Sequence, residues 1–220
     1  MPERQELLLI RHGQSTANER GIWQGQMDFP LSEEGRSQAR RVGRALAGKR
    51  LDGLYSSPLG RALETAEIIA REVSFPDEVV AIEGLTERRG GSLEGTTRAE
   101  REARDPELVK KFLGLPEEER WTIVGAETDE EILDRFERAI SDVRARHVPF
   151  ARVVIVSHGG VMRAFLRDRF GPGVFPGAVR APNASITRLE WDGSVGPHLM
   201  ELASTEHLAS GAAAGTSTAD

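Results

Sequence analysis

Two stretches of this sequence stop an apolar run at an imidazole followed by glycine. One reads Leu7-Leu8-Leu9-Ile10-Arg11-His12-Gly13-Gln14-Ser15, the other Val153-Val154-Ile155-Val156-Ser157-His158-Gly159-Gly160. Near-continuous apolar runs mark strands buried on both faces of a parallel sheet. Ligands of open α/β sheets bind beyond the carboxyl ends of such strands, which is where Arg11, His12 and His158 fall. Two further groups follow other strand candidates. Arg61 lies in the first turn of a helix after Gly53-Leu54-Tyr55-Ser56, and Glu87 lies in a glycine-rich loop after Val79-Val80-Ala81-Ile82. A cation in a first helical turn opposes the macrodipole. Taken alone, Arg61 reads equally as a surface arginine or as an anion ligand beside the free N–H groups of a helix start.

Together these segments bring two imidazoles, two guanidiniums and a carboxylate to one sheet edge. Guanidinium forks bind the oxygens of a doubly charged tetrahedral oxyanion bidentately and keep their charge. Nearby cations favour the uncharged form of His12, whose free ring nitrogen can then attack phosphorus. His158 is suited to donate a hydrogen bond to phosphoryl oxygens as charge builds. Glu87 is suited to protonate a leaving alcohol and then to take a proton from water.

The chain has 220 residues, 39% of them hydrophobic and 29% charged, which fits one soluble globular domain. The formal net charge of -6 argues against nucleic acid as a partner, because that binding needs a basic surface. With no cysteine, disulfides, zinc–thiolate sites and cysteine nucleophiles are excluded. No apolar run is long enough to span a bilayer and no signal-peptide pattern is visible, so the expectation is a cytoplasmic protein with no membrane partner. A homodimer is allowed and not required by anything in the sequence.

Strand and helix patterns alternate for most of the length, which predicts an α/β fold with a largely parallel central sheet covered by helices on both faces. Ser15 to Gln26 has no clear period and reads as loop. Ser32 caps a helix buried through Ala39, Val42 and Leu46 and stopped at Gly48. Ser57 and Pro58 are the expected N-cap and first position of the next helix, with Leu59, Ala62, Leu63, Ala66, Ile69, Ala70 and Val73 on its apolar face. Thr128 caps a long helix carrying Ile132, Phe136, Ala139, Ile140 and Val143. A further helix runs from Val161 to about Arg169, then a Gly/Pro-rich loop through Pro182, a strand Ser185 to Trp191 and an edge strand from His198. Residues 1–208 form the predicted domain, and residues from about 96 to 126, dense in both charge signs and without a clean core face, form a small helical cap over the strand ends. Residues 209–220 are Ala/Gly/Ser/Thr-rich and expected to be disordered. His147, near a helix end, reads as a cation suiting the dipole, and Trp121 as ordinary cap packing.

Arg11-His12-Gly13-Gln14-Ser15 with Asn18 resembles the signature of the histidine phosphatase superfamily, the phosphoglycerate-mutase-like proteins. The resemblance continues through Trp23-Gln24-Gly25, Pro30-Leu31-Ser32, Ser56-Ser57-Pro58-Leu59-Gly60-Arg61, Glu87, Leu93-Glu94-Gly95 and Ser157-His158-Gly159-Gly160, and covers the chain to about Leu208. It implies a metal-independent, cofactor-free phosphomonoesterase of the small phosphatase branch, acting on a small phosphorylated metabolite through a phosphohistidine on His12. It implies a mixed, mostly parallel central sheet flanked by helices on both faces, and catalytic roles for His12, Glu87, Arg11, Arg61 and His158. The implied phosphate and substrate contacts are Arg11, Gly13, Ser15, Asn18, Gln24, Gly25, Arg61, Arg88, His158 and Gly159. Gly90 stands where many small phosphatases carry a bulky residue, and Arg88-Arg89 is unusually basic. Those two arginines read either as contacts to a second acidic group or as solvated surface residues.

Three other readings use the same residues. A bisphosphate-dependent mutase would return the phosphoryl group to a second hydroxyl, but resembling mutases carry a longer insertion than Thr96 to Ala126. A non-catalytic phospho-ligand binder would keep the pocket without turnover. A metallohydrolase with His12 and His158 as ligands is disfavoured by arginines that repel a divalent cation.

Overall fold

A computed structural model describes residues 4–177, 179–193 and 196–209. Its centre is one six-stranded sheet of β1 (Gln5–Arg11), β2 (Gly53–Ser56), β3 (Val80–Ala81), β4 (Arg152–Ser157), β5 (Ile186–Trp191) and β6 (His198–Ser204). Their order across the sheet is β3-β2-β4-β1-β5-β6. The first four are mutually parallel, whereas β5 runs antiparallel to β1 and β6 antiparallel to β5. The sheet is therefore mostly parallel, as the alternating pattern predicts, and mixed, as the family resemblance implies.

Side chains alternate across a strand, and in β1 and β4 both sets are apolar because both faces are covered. Leu7, Leu9, Val153 and Ile155 face one core, under α7 (Asp129–Ala145) and α8 (Gly159–Phe170). Leu8, Ile10, Val154 and Val156 face the other, under α2 (Glu33–Leu46) and α3 (Gly60–Val73). The period of α7 is realised: Ile132, Phe136, Ala139, Ile140 and Val143 are all buried, and Thr128 closes a capping box with Glu131. Ser32 caps α2 by accepting from the Gly35 N–H. Strand β5 alternates buried and half-buried positions, with Leu189 and Trp191 inward.

Several expectations change. The segment after the first loop contains a short helix, α1 (Thr16–Glu19), because Ser15 and Asn18 satisfy each other's backbone N–H groups in a capping box. Helix α3 starts two residues later than predicted, with Leu59 as N-cap; Ser57 and Pro58 remain extended loop. Strand β3 keeps two exposed residues and extends the sheet by one short edge. The insertion folds into α4 (Arg98–Arg104), α5 (Pro106–Gly114) and α6 (Glu117–Arg120). It does have a core of its own, formed by Leu93, Trp121, Val124 and Ala126 with Trp23, Leu108 and Phe112 packed against them. The apolar residues of that core come from segments too short to show a period. His147 lies beyond the end of α7 and pairs with the Tyr55 hydroxyl at 2.9 Å. Burial holds its pKa below the usual imidazole value, so the proposed helix-end cation is a neutral ring. The chain closes on α9 (Glu206–Ala209), so Ala209 is helical; residues 210–220 of the expected tail lie outside the described residues.

Candidate active site

Register places the chemistry. Arg11 pairs with Ser157 and Ser56 pairs with Val156 in neighbouring parallel strands. His12, Ser57 and His158 therefore leave the same sheet edge at nearly the same height. The His12 N–H donates to the Ser157 carbonyl at 2.9 Å and the Ser57 N–H to the Val156 carbonyl at 3.0 Å, carrying the ladder to its last residue.

His12 is 2% exposed, and its Nδ1 lies 2.6 Å from the Gly13 carbonyl oxygen. A carbonyl can only accept, so Nδ1 holds the ring proton and Nε2 keeps its lone pair. Burial, then Arg61 and Arg11, push the His12 pKa well below its ordinary value. The Gly13 N–H is spent on the Thr65 hydroxyl at 3.1 Å, and Thr65 in turn donates to the Arg61 carbonyl at 2.7 Å. Gly13 thus positions His12 and does not line the cavity. Only glycine fits there, since a Cβ would sit 2.5 Å from the Gly35 carbonyl oxygen.

His158 is fully buried, with its ring centroid 5.1 Å from that of His12 and its Nε2 2.7 Å from Ser57 Oγ. Burial, then Arg61, His12 and Arg11, hold its pKa well below the usual range. Its Nδ1 has no hydrogen-bond partner, and the same is true of the buried Nε of Arg11 and of Arg61. Unpartnered buried groups of this kind are ones that an oxyanion could satisfy. Arg61 is 1% exposed and held by the Met27 and Gly25 carbonyls at 2.8 and 2.7 Å, so its surface reading is replaced by the anion-site reading. Arg11 donates to the Ala181 carbonyl at 2.5 Å; burial, then Arg180, lower its pKa to about 10, still cationic at neutral pH.

Glu87 spans the start of α8. One carboxylate oxygen accepts from the Gly160 N–H at 2.8 Å, the other from Val161 and Arg88 N–H groups at 2.9 and 2.8 Å. A Cβ at Gly160 would come within 2.5 Å of that carboxylate, so this glycine lets the acid approach the helix N-terminus.

Of the remaining predicted contacts, Asn18, Gln24, Gly25, Arg88 and Gly159 line the same cavity of about 630 Å³ as Arg11, His12, Arg61 and Glu87. Ser15 does not line it. Its hydroxyl caps α1 and donates to Gln24 Oε1 at 2.8 Å, so Ser15 is a positioning residue. Arg88 is not a solvated arginine: it is 5% exposed, bonded to the Glu127 carbonyl and to Asp129, and stacked 4.0 Å over Trp121. Trp121 accordingly forms part of the cavity wall as well as the cap core. Arg89 is exposed, in line with the solvated reading. Gly90 has its own reason, since a Cβ there would lie 2.8 Å from the Trp23 indole nitrogen.

Two residues were not found by sequence reasoning. Arg180 lines the cavity with its guanidinium 4.6 Å from the Trp23 ring, and Asn183 donates to the His12 carbonyl and Asn18 Oδ1 at 3.1 Å each. Both come from the loop between α8 and β5, where no period or motif points inward. Among the described residues, no three His, Cys, Asp or Glu side chains converge to hold a metal ion, and no helix is long and apolar enough to cross a membrane.

The profile of the histidine phosphatase superfamily (branch 1) matches residues 7–203. The chain belongs to the histidine phosphatase superfamily. Within it, a metal-independent phosphoserine phosphatase of Arabidopsis thaliana is 36% identical over 160 residues, 72% of this chain and 66% of that protein. The phosphatase PhoE of Bacillus subtilis (strain 168) is 31% identical over 183 residues, 83% of this chain and 86% of its own length. Among solved structures, YhfR of Bacillus stearothermophilus superposes with a TM-score of 0.78 at 29% identity, covering 93% of this chain and 99% of that one. This member of the histidine phosphatases is thus a phosphatase-type enzyme on the phosphoglycerate-mutase-like α/β fold.

Proposed function

We propose that the protein hydrolyses phosphomonoesters of small metabolites without a metal, through a phosphohistidine on His12. The observation that carries this reading is the 2.6 Å contact from His12 Nδ1 to the Gly13 carbonyl, which leaves Nε2 as a nucleophile beside Arg11 and Arg61. Nε2 attacks phosphorus and the ester P–O bond breaks. Protonated Glu87 gives its proton to the departing alkoxide. Water then attacks the phosphohistidine, passes a proton to the Glu87 carboxylate, and the P–N bond breaks to release phosphate and restore His12.

The phosphoryl oxygens take hydrogen bonds from Arg11, Arg61 and Arg180, groups in place before charge develops. With Ser57 donating to Nε2, neutral His158 carries its proton on Nδ1, the unpartnered nitrogen, and adds a neutral donor. An arginine floor disfavours a divalent cation and supports metal-free turnover. The name of the Arabidopsis relative, a metal-independent phosphoserine phosphatase, is in line with this. A small metabolite fits a cavity of about 630 Å³ in an acidic chain, and we place the reaction in the cytoplasm.

The test is phosphate release from a panel of phosphomonoesters in excess chelator, with wild type and His12→Ala side by side. Chelator-insensitive release that disappears in the variant supports the reading. Release that needs metal, or survives in His12→Ala, overturns it. Isomerisation of 3-phosphoglycerate strictly dependent on a bisphosphate primer would replace hydrolysis by mutase transfer.

A further inference from the structure

The loop that carries Glu87 is fastened from behind. Arg135 stands on the flank of α7, beside the buried stripe of Ile132, Phe136 and Ala139. The 3₁₀ turn Glu83–Leu85 comes close to this helix, and only glycine allows it: a Cβ at Gly84 would lie 2.7 Å from the Arg135 carbonyl oxygen. From the helix flank the guanidinium reaches three carbonyls of the one loop. Its Nη1 donates to Gly84 and Thr86 at 3.1 and 2.7 Å, and its Nη2 donates to Glu87 at 3.0 Å. The remaining N–H groups go to the Glu127 carboxylate, from Nε at 3.2 Å and from Nη2 at 3.0 Å. A guanidinium has five N–H donors in a rigid fork, and here all five are used. A lysine, with three donors on a point charge, could not make this set of bonds.

Glu127 holds the far side of the same loop. Its carboxylate also accepts from the Arg89 N–H at 2.7 Å, and its own N–H donates to the Arg89 carbonyl at 3.0 Å. The backbone is therefore tied down on both sides of Glu87. Neither Arg135 nor Glu127 lines the cavity, so neither meets a substrate there. What they fix is the backbone from which the Glu87 side chain reaches the Gly160 and Val161 N–H groups. Those N–H groups belong to the first turn of α8, where no helical carbonyl is in reach. Backbone and carboxylate of Glu87 are thus held by two separate sets of bonds, and Arg135 supplies most of the first.

We propose that Arg135 is a positioning residue for the proton transfer: its fork, oriented by Glu127, fixes the loop so that the Glu87 carboxyl stands at the leaving oxygen. The proposal rests on the phosphatase reading for what Glu87 does, and adds which residues hold it in place. Where geometry controls a step, a displacement of about 1 Å costs about 10²-fold in rate. The loss must then follow the leaving group's need for a proton. In the step that breaks the ester P–O bond, a departing alkoxide takes the proton of the Glu87 carboxyl, whereas p-nitrophenolate leaves without one. A residue that merely stabilised the fold would lower turnover of both esters alike.

The experiment compares wild type with Arg135→Gln, Arg135→Lys and Glu127→Gln. In turnover, the ratio of kcat/KM for glycerol 3-phosphate to that for p-nitrophenyl phosphate is read. In parallel, hydrogen exchange of the Gly160 and Val161 amides is followed by NMR, which needs no substrate. The ratio is expected to fall about 10²-fold in Arg135→Gln and by less in the other two variants. The two amides are expected to exchange about tenfold faster in Arg135→Gln, with the amides of β4 unchanged. Should Arg135→Gln not fold, the two milder variants carry the comparison. A ratio that does not move, or unchanged exchange at both amides, overturns the assignment. If wild type hydrolyses no ester while the two amides still exchange faster in the variants, Arg135 positions Glu87 as stated and the phosphatase reading fails.

Discussion

The Nδ1 of His12 and the carbonyl oxygen of Gly13, 2.6 Å apart within one dipeptide turn, decide which nitrogen faces a substrate. The Gly13 N–H is tied to Thr65 on α3, so the loop cannot rotate to free that carbonyl. The proposed nucleophile is thus oriented by backbone, with no carboxylate behind it. Replacing His12 by Ala is expected to reduce kcat by about 10³-fold or more, the scale seen when a nucleophile is removed. Rapid-quench trapping of an acid-labile phosphoenzyme in wild type, absent from His12→Ala, checks the covalent step.

Thr65 makes a second test of the same orientation. Its hydroxyl links the Gly13 N–H to the Arg61 carbonyl in a fully buried position. Thr65→Val removes the link at nearly constant volume and leaves a buried N–H unsatisfied, at about 1–3 kcal/mol of stability. Urea unfolding should register that loss, and kcat should fall with KM little changed.

The pH response follows from the two buried imidazoles. Both His12 and His158 have folded-state pKa values well below 6.5, so between that value and their depressed folded values only the unfolded chain binds protons. The unfolded state then gains as pH falls, and the contribution of both rings, complete above pH about 6.5, drains away below it. The slope is at most about 1.4 kcal/mol per pH unit for each ring. Denaturation midpoints between pH 4 and 8 measure it. The same shift keeps His12 unprotonated in mild acid, so the acidic limb of kcat/KM, after correction for the substrate's own second phosphate ionisation at about 6, should lie well below 6.5; a corrected limb at the ordinary imidazole value would contradict the burial argument.

Glu87 gives a prediction that depends on the leaving group. Glu87→Gln keeps the side-chain shape but replaces one of the two oxygens that accept from the Gly160 and Val161 N–H groups by an amide NH2, and it cannot donate a proton as an acid. Activity on alkyl phosphates is expected to fall by about 10²–10⁴-fold. The loss should be much smaller for p-nitrophenyl phosphate, whose leaving group needs no protonation. Equal losses on both would remove Glu87 from the acid role.

Arg180 tests the part that no motif marked. It lies against Trp23 in the cavity, beside Arg11, whose pKa it helps to lower. Arg180→Met should raise KM for phosphomonoesters by about tenfold and raise the Arg11 pKa. An unchanged KM would leave Arg180 as a wall residue without a role in binding.

Local signals determined the four chemical segments. Apolar runs that end in Arg11-His12 and Ser157-His158 specify strands buried on both faces, because no other element hides so continuous a run while ending in polar groups. The 3.6-residue periods of α2, α3 and α7 were equally legible, since each lays one stripe on a large core. From these alone a largely parallel sheet and the convergence of His12, Arg61, Glu87 and His158 follow; that the sheet is mixed came with the family resemblance. The sequence therefore carried the reaction type, which depends on a few residues placed at strand ends.

Tertiary structure decided everything that depends on approach between distant segments. The proton position on His12 and the orientation of Arg61 rest on carbonyls that no pattern marks as acceptors. Arg88, left open between substrate contact and surface arginine, became part of the cavity wall because Trp121 and Asp129, more than 30 residues away, close over it. Ser15 left the contact set because its hydroxyl is satisfied inside α1. Arg180 and Asn183 arise in an irregular segment, where side-chain direction is set by packing and not by periodicity. That segment contributes to the cavity wall, so the shape of that wall was decided only in three dimensions.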